Sequence, residues 1–230
     1  MLKTITRFSC VGLVIASILT APNALAQSIT YIPQTPKASK TRETQASTSR
    51  GCPQNLTGLV EPLAPSGHVG LTRSARPTLL FKLVHPSPVP AFLVVAAIDG
   101  REALVEQALS LDTPGVKSVS FPPLVELELN KEYIWSIVLI CNRVRPSDNF
   151  VVQALLKRIA PTPVLIEQLK KASSSFERGR ILAANGIWYD ALAEVRNNPL
   201  LLQELINQKE GLETNQNPGK NSELIQRRAN

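Results

Sequence analysis

Residues 133–141, Tyr-Ile-Trp-Ser-Ile-Val-Leu-Ile-Cys, constrain the fold more than any other stretch of the chain. Tyr133, Trp135, Ile137, Leu139 and Cys141 share one face at period two, while Ile134, Val138 and Ile140 make the opposite face apolar, with Ser136 the polar exception. A strand apolar on both faces belongs in the middle of a sheet or inside a sandwich. The body is therefore expected to be built around a buried sheet.

The start of the chain reads differently. Lys3 and Arg7 form a basic region, Val11 to Leu19 an apolar core and Ala24-Leu25-Ala26 a small-residue cleavage site, the pattern of a secretory signal peptide over residues 1–26. An uncleaved membrane anchor is the alternative, but Pro22 and Asn23 break the run and it is short for a span. Cleavage after Ala26 removes Cys10 and leaves Cys52 and Cys141, which in an oxidising compartment predicts one disulfide. The expected location is periplasmic or extracellular, with no transmembrane span in the mature chain.

The net charge of +7 raises the question of a nucleic-acid partner. Lys3 and Arg7 leave with the signal peptide, and residues 27–50 carry Lys37, Lys40, Arg42 and Arg50 against Glu43 alone. The body that follows is close to neutral, so no nucleic-acid partner is expected; the basic segment implies at most loose attraction to an anionic surface.

Residues 27–49 have few apolar positions after Ile32 and are expected to be a disordered basic linker, with order beginning near Arg50-Gly51-Cys52-Pro53. Short apolar runs then alternate with turn residues to about residue 160: 78–84, 91–98 before Asp99-Gly100, 103–109, 116–121, 124–129, 133–141 and 150–159. The 103–109 run reads as a strand or a helical turn. Such spacing predicts an immunoglobulin- or fibronectin-like β-sandwich over residues 50–160, and Tyr133 behind Leu127 and Asn130 has the placement of a tyrosine corner. After Ile159 the period becomes helical. Thr162-Pro163 opens a first helix that ends at Asn185-Gly186, with a break near residues 173–175; Trp188, Ala191, Leu192 and Val195 mark a second, and Asn198-Pro199 opens a third that stops at Gly211. The prediction is mainly β with an α tail, three short helices over 161–212 and a disordered tail over 213–230.

Arg50-Gly51-Cys52-Pro53, Gly70-Leu71-Thr72 with Arg76-Pro77-Thr78, Tyr133-x-Trp135 leading to Cys141, and Gly186-Ile187-Trp188-Tyr189-Asp190-Ala191 together resemble a cyanobacterial family of secreted proteins, domain-of-unknown-function family 928. The similarity covers about residues 50–212. It implies an exported location, an N-terminal β domain and a helical C-terminus, and it brings no activity. The chain departs from the family at Pro86-x-Pro88-x-Pro90 and at Phe81-Lys82-Leu83, which reads as an edge strand. The Gly186–Ala191 piece is also similar to half of a tetratricopeptide-type hairpin, which makes Trp188, Tyr189 and Asp190 the candidate interaction surface; the competing reading is that Trp188 packs in the core.

No catalytic, cofactor or metal residues are predicted. His68 and His85 lack further ligands at suitable spacing, Ser66 lacks a nucleophile-elbow context, and Glu126 and Glu128 read as the solvated side of a strand. The expected function is an exported, non-enzymatic interaction module with a protein or envelope-component partner. The alternative is an envelope enzyme of hydrolase type with a site assembled from scattered loop residues.

Overall fold

The computed structural model describes residues 28–34, 52–53, 56–65, 67–100 and 102–216. The expected signal peptide, residues 35–49 of the expected linker and residues 217–230 lie outside them.

The described residues are mainly β, with eight strands in two sheets followed by four helices. The strands are β1 (Val60–Pro62), β2 (Gly70–Thr72), β3 (Thr78–Leu83), β4 (Ala91–Ala97), β5 (Ala103–Leu109), β6 (Gly115–Ser120), β7 (Glu132–Leu139) and β8 (Phe150–Arg158). One sheet has the order β1-β3-β6 and the other β2-β8-β7-β4-β5; every pairing is antiparallel except β2 with β8. As its two apolar faces require, β7 lies third of five. Tyr133, Trp135, Ile137 and Leu139 are buried, while Ile134 and Val138 on the other face are half covered. Asn130 takes a φ of 61° to turn the chain into β7, and the Tyr133 hydroxyl reaches back to accept from the Glu128 N–H at 2.9 Å.

Three strand readings change. Residues 124–129 form a loop: Pro122 and Pro123 offer no N–H to a ladder, Leu124 is 97% exposed, and the Leu127 N–H goes to the Ala75 carbonyl. β1 and β2 are new, because three residues are too few to display a period. β3, expected at an edge because of Phe81-Lys82-Leu83, is the middle strand of its sheet. The 103–109 segment is a strand.

The helices are α1 (Pro163–Lys171), α2 (Ser175–Ala184), α3 (Trp188–Val195) and α4 (Pro199–Gln216). Thr162 caps α1 by accepting from the Leu165 N–H at 3.2 Å, Ser174 caps α2, and Asn198 accepts from the Leu201 N–H. The break at Ser173-Ser174 therefore divides the expected first helix in two. α2 ends at Asn185-Gly186, where Gly186 adopts φ 70°. α4 runs through Gly211, since one glycine costs a helix only about 1 kcal/mol. α3 packs on β2 and β3, and one buried cluster joins strands and helices. No described helix is long and apolar enough to cross a membrane.

The linker reading is overturned at its start. Residues 28–34 lie extended against the helices with Ile29 fully buried and Tyr31 6% exposed, while Ser28, Thr30, Ile32 and Gln34 face outward. Average composition hid a four-residue alternation that is apolar where it faces the body.

Candidate functional site

Successive residues of a helix point about 100° apart, so the three expected to form one surface at the start of α3 face three different surroundings. Trp188 and Tyr189 are interior, at 0% and 1% exposure, and only Asp190 borders solvent. The interaction-surface reading is corrected accordingly. Trp188 donates from Nε1 to the Leu63 carbonyl at 2.9 Å. The Tyr189 hydroxyl accepts from Trp135 Nε1 at 2.8 Å and donates to the Leu155 carbonyl at 2.7 Å, which ties α3 to β7 and β8; burial raises its pKa. Gly70 makes this crossing possible, because a Cβ there would stand 2.6 Å from Tyr189 Cε2. Asp190 accepts from the Thr72 hydroxyl at 2.5 Å and the Arg73 N–H at 3.2 Å, with the Arg73 guanidinium at 3.3 Å. Burial raises the Asp190 carboxyl above the ordinary value, opposed by Thr72 and Arg73. Beside it opens a cleft of about 200 Å³ lined by Arg73, Arg76, Thr78 and Glu194 among others.

On the other side of Trp188, α2, α3, α4 and the loop around His68 form a groove that holds residues 28–34. Ile29 reaches α2, its Cδ1 3.5 Å from where a Cβ on Gly179 would lie. Tyr31 meets the Trp188 ring edge to face with centroids 4.7 Å apart, and its hydroxyl is 2.7 Å from His68 Nε2. Burial raises the Tyr31 pKa and lowers that of His68 to about 4, so His68 is neutral there near neutral pH. The backbone of the segment is held as fully as its side chains. Glu204 accepts from the Ile29 N–H at 3.2 Å; Gln208 accepts from the Tyr31 N–H at 2.7 Å and donates to the Ile29 carbonyl at 2.5 Å. The Ile32 N–H donates to the Ala183 carbonyl at 3.1 Å. Gly186 lets the segment pass closely, since a Cβ there would lie 2.8 Å from the Ile32 carbonyl oxygen.

Tyr31, His68, Glu204 and Gln208 are the site residues that sequence reasoning missed. The available signal was faint: alternation in Ile29-x-Tyr31, and two polar residues one turn apart on α4 beside buried Leu205 and Lys209.

Cys52 and Cys141 stand at disulfide distance, with Cα atoms 5.1 Å apart. Glu126 and Glu128 do not act as a pair: one meets Arg76 at 3.5 Å and the other Lys131 at 3.0 Å, both in solvent. His85 is on the surface, against the Pro86 carbonyl. Among the described residues no three His, Cys, Asp or Glu side chains gather as a metal site.

Several residues that carry the family resemblance meet around α3: Gly70 and Thr72 under Tyr189 and Asp190, Trp135 on the Tyr189 hydroxyl, and Gly186 at the turn. No curated protein and no solved structure matches the chain. The family model described as Domain of Unknown Function (DUF928) matches residues 45–209, most of the chain. This protein therefore belongs to the DUF928 family.

Proposed function

We propose that the protein is an exported, non-enzymatic interaction module of the periplasm or cell surface, acting on a protein or envelope component. One observation carries this reading: the helical unit holds an extended segment in a groove by its backbone and by two buried side chains, the manner in which proteins recognise peptides. Export is supported by the signal-peptide pattern of residues 1–26 and by the cysteine pair at disulfide distance, which suits an oxidising compartment. An immunoglobulin-like sandwich is the finer fold reading. Its support is the order β1-β3-β6 against β2-β8-β7-β4-β5, and the backward bond from Glu128 to the Tyr133 hydroxyl beside the start of β7.

Fractionation of the native host tests the reading. The expected result is protein in the envelope or outside the cell, beginning at Gln27, with Cys52 and Cys141 linked in a non-reducing peptide map and a crosslinked envelope partner. A start at Met1 with both thiols free contradicts it.

The second reading is an envelope hydrolase, and the cleft beside the raised Asp190 carboxyl favours it. Under that reading the purified protein hydrolyses ester or amide probes and Asp190→Asn abolishes the activity. Under the preferred reading Asp190→Asn changes stability alone.

A further inference from the structure

We propose that the groove formed by α2, α3, α4 and the His68 loop is a receptor for extended peptides carrying an aliphatic residue followed two positions later by tyrosine. Residues 28–34 act there as a tethered competitor. The inference rests on the interaction-module reading and names the class of partner.

Most of the recognition is indifferent to sequence. Four bonds go to the backbone of the bound segment, from Glu204, both ends of the Gln208 amide and the Ala183 carbonyl, and any extended chain in the same register makes them. Two positions are read by side chain. Ile29 is fully buried against the glycine face of α2, and Tyr31 offers its ring to Trp188 and its hydroxyl to His68 Nε2. Phenylalanine at the second position would leave a buried imidazole nitrogen without its partner, so the site favours tyrosine. Thr30, the residue between them, faces outward and is free to vary.

The extent of the family match separates receptor from occupant. Residues 45–209 contain every groove residue, from His68 through Gly179, Ala183, Gly186 and Trp188 to Glu204 and Gln208, whereas residues 28–34 precede the matched region. The groove thus lies inside the matched region and its present ligand outside it. An intramolecular ligand competes at an effective concentration on the order of 1 mM for a short tether, so a peptide in trans gains access mainly when the segment is released.

The test uses the full chain with a protease site placed within residues 35–49 and cut after folding, probed with fluorescein-labelled Ser-Ile-Thr-Tyr-Ile-Pro-Gln. Fluorescence anisotropy is expected to show saturable binding to the cut protein, about tenfold or more tighter than to the uncut chain. Alanine at the peptide's tyrosine, or Gln208→Ala in the protein, is expected to weaken binding by about tenfold or more. A cut protein that keeps its melting transition yet neither binds the peptide nor exchanges its own segment for it overturns the proposal, as does equal binding of the wild-type and alanine peptides. Native-host fractionation judges export separately, so a failure here leaves that reading standing, and a cytoplasmic location would leave the groove's affinity unaffected.

Discussion

Two buried aromatic hydroxyls divide the labour at the residue scale. Tyr189 locks α3 to the five-stranded sheet, and Tyr31 locks the N-terminal segment to α3 through Trp188 and His68. Tyr189→Phe takes the acceptor from the buried Trp135 N–H and one of the donors from the Leu155 carbonyl, which keeps its place in the β2–β8 ladder. The expected loss is about 1–3 kcal/mol in urea unfolding, the cost of one orphaned buried donor. His68 sets a pH dependence. Its pKa is about 4 in the folded chain against an ordinary 6.5, so on acidification the unfolded chain takes up the proton first. His68 therefore costs no stability above about 6.5, costs increasingly as the pH falls toward about 4, and at about 1.36 kcal/mol per pH unit costs up to about 3 kcal/mol below that. Unfolding titrations of wild type and His68→Gln across that range check it, and the variant should lack this slope. Neither histidine partner nor tyrosine role was legible in the sequence, because both depend on a contact between positions 31 and 68. The run Trp188-Tyr189-Asp190 was legible as important, but the helical rotation of about 100° per residue that separates its three roles leaves no mark in three adjacent letters.

Elements with a local cause were the legible ones. Thr162-Pro163, Asn185-Gly186 and Asn198-Pro199 mark helix ends by chemistry contained within a few residues, and β7 announces its central place by its two apolar faces. Residues 124–129 misled because alternation alone looks like a strand, although the proline pair ahead of them removes ladder donors. The extended segment 28–34 misled in the opposite sense, since only Ile29 and Tyr31 carry its burial. Gly186→Ala tests how closely that segment and the α2–α3 turn are fitted. A Cβ there meets the Ile32 carbonyl oxygen and takes on a left-handed φ of 70°, a strain of about 1–2 kcal/mol before any displacement of the segment. The expected result is a lower melting temperature together with faster proteolysis within residues 28–34. Loss of stability with the segment still protected would separate turn strain from docking.

For the whole molecule, the two cysteines stand at disulfide distance, one beside Pro53 and the other past the far end of the central strand, across a sequence separation of 89. A bridge between them closes a loop worth up to about 4–5 kcal/mol in the chain-entropy model. Cys52→Ser and Cys141→Ser are then expected to lower the melting temperature equally, with the double variant little worse than either, because each change opens the same loop. Additive losses would mean two independent thiols. The division into strands first and helices afterwards was legible from the change of period near Ile159, whereas the return of the N-terminus to the C-terminal helices joins positions about as far apart in sequence as Ile29 and Gln208. No local pattern encodes such a closure. Amide hydrogen exchange of the full chain measures that closure directly. Protection at Ile29, Tyr31 and Ile32, lost at Tyr31 on Gln208→Ala and at Ile29 on Glu204→Ala, is the predicted result; exchange of all three at unstructured-peptide rates in wild-type protein would contradict it.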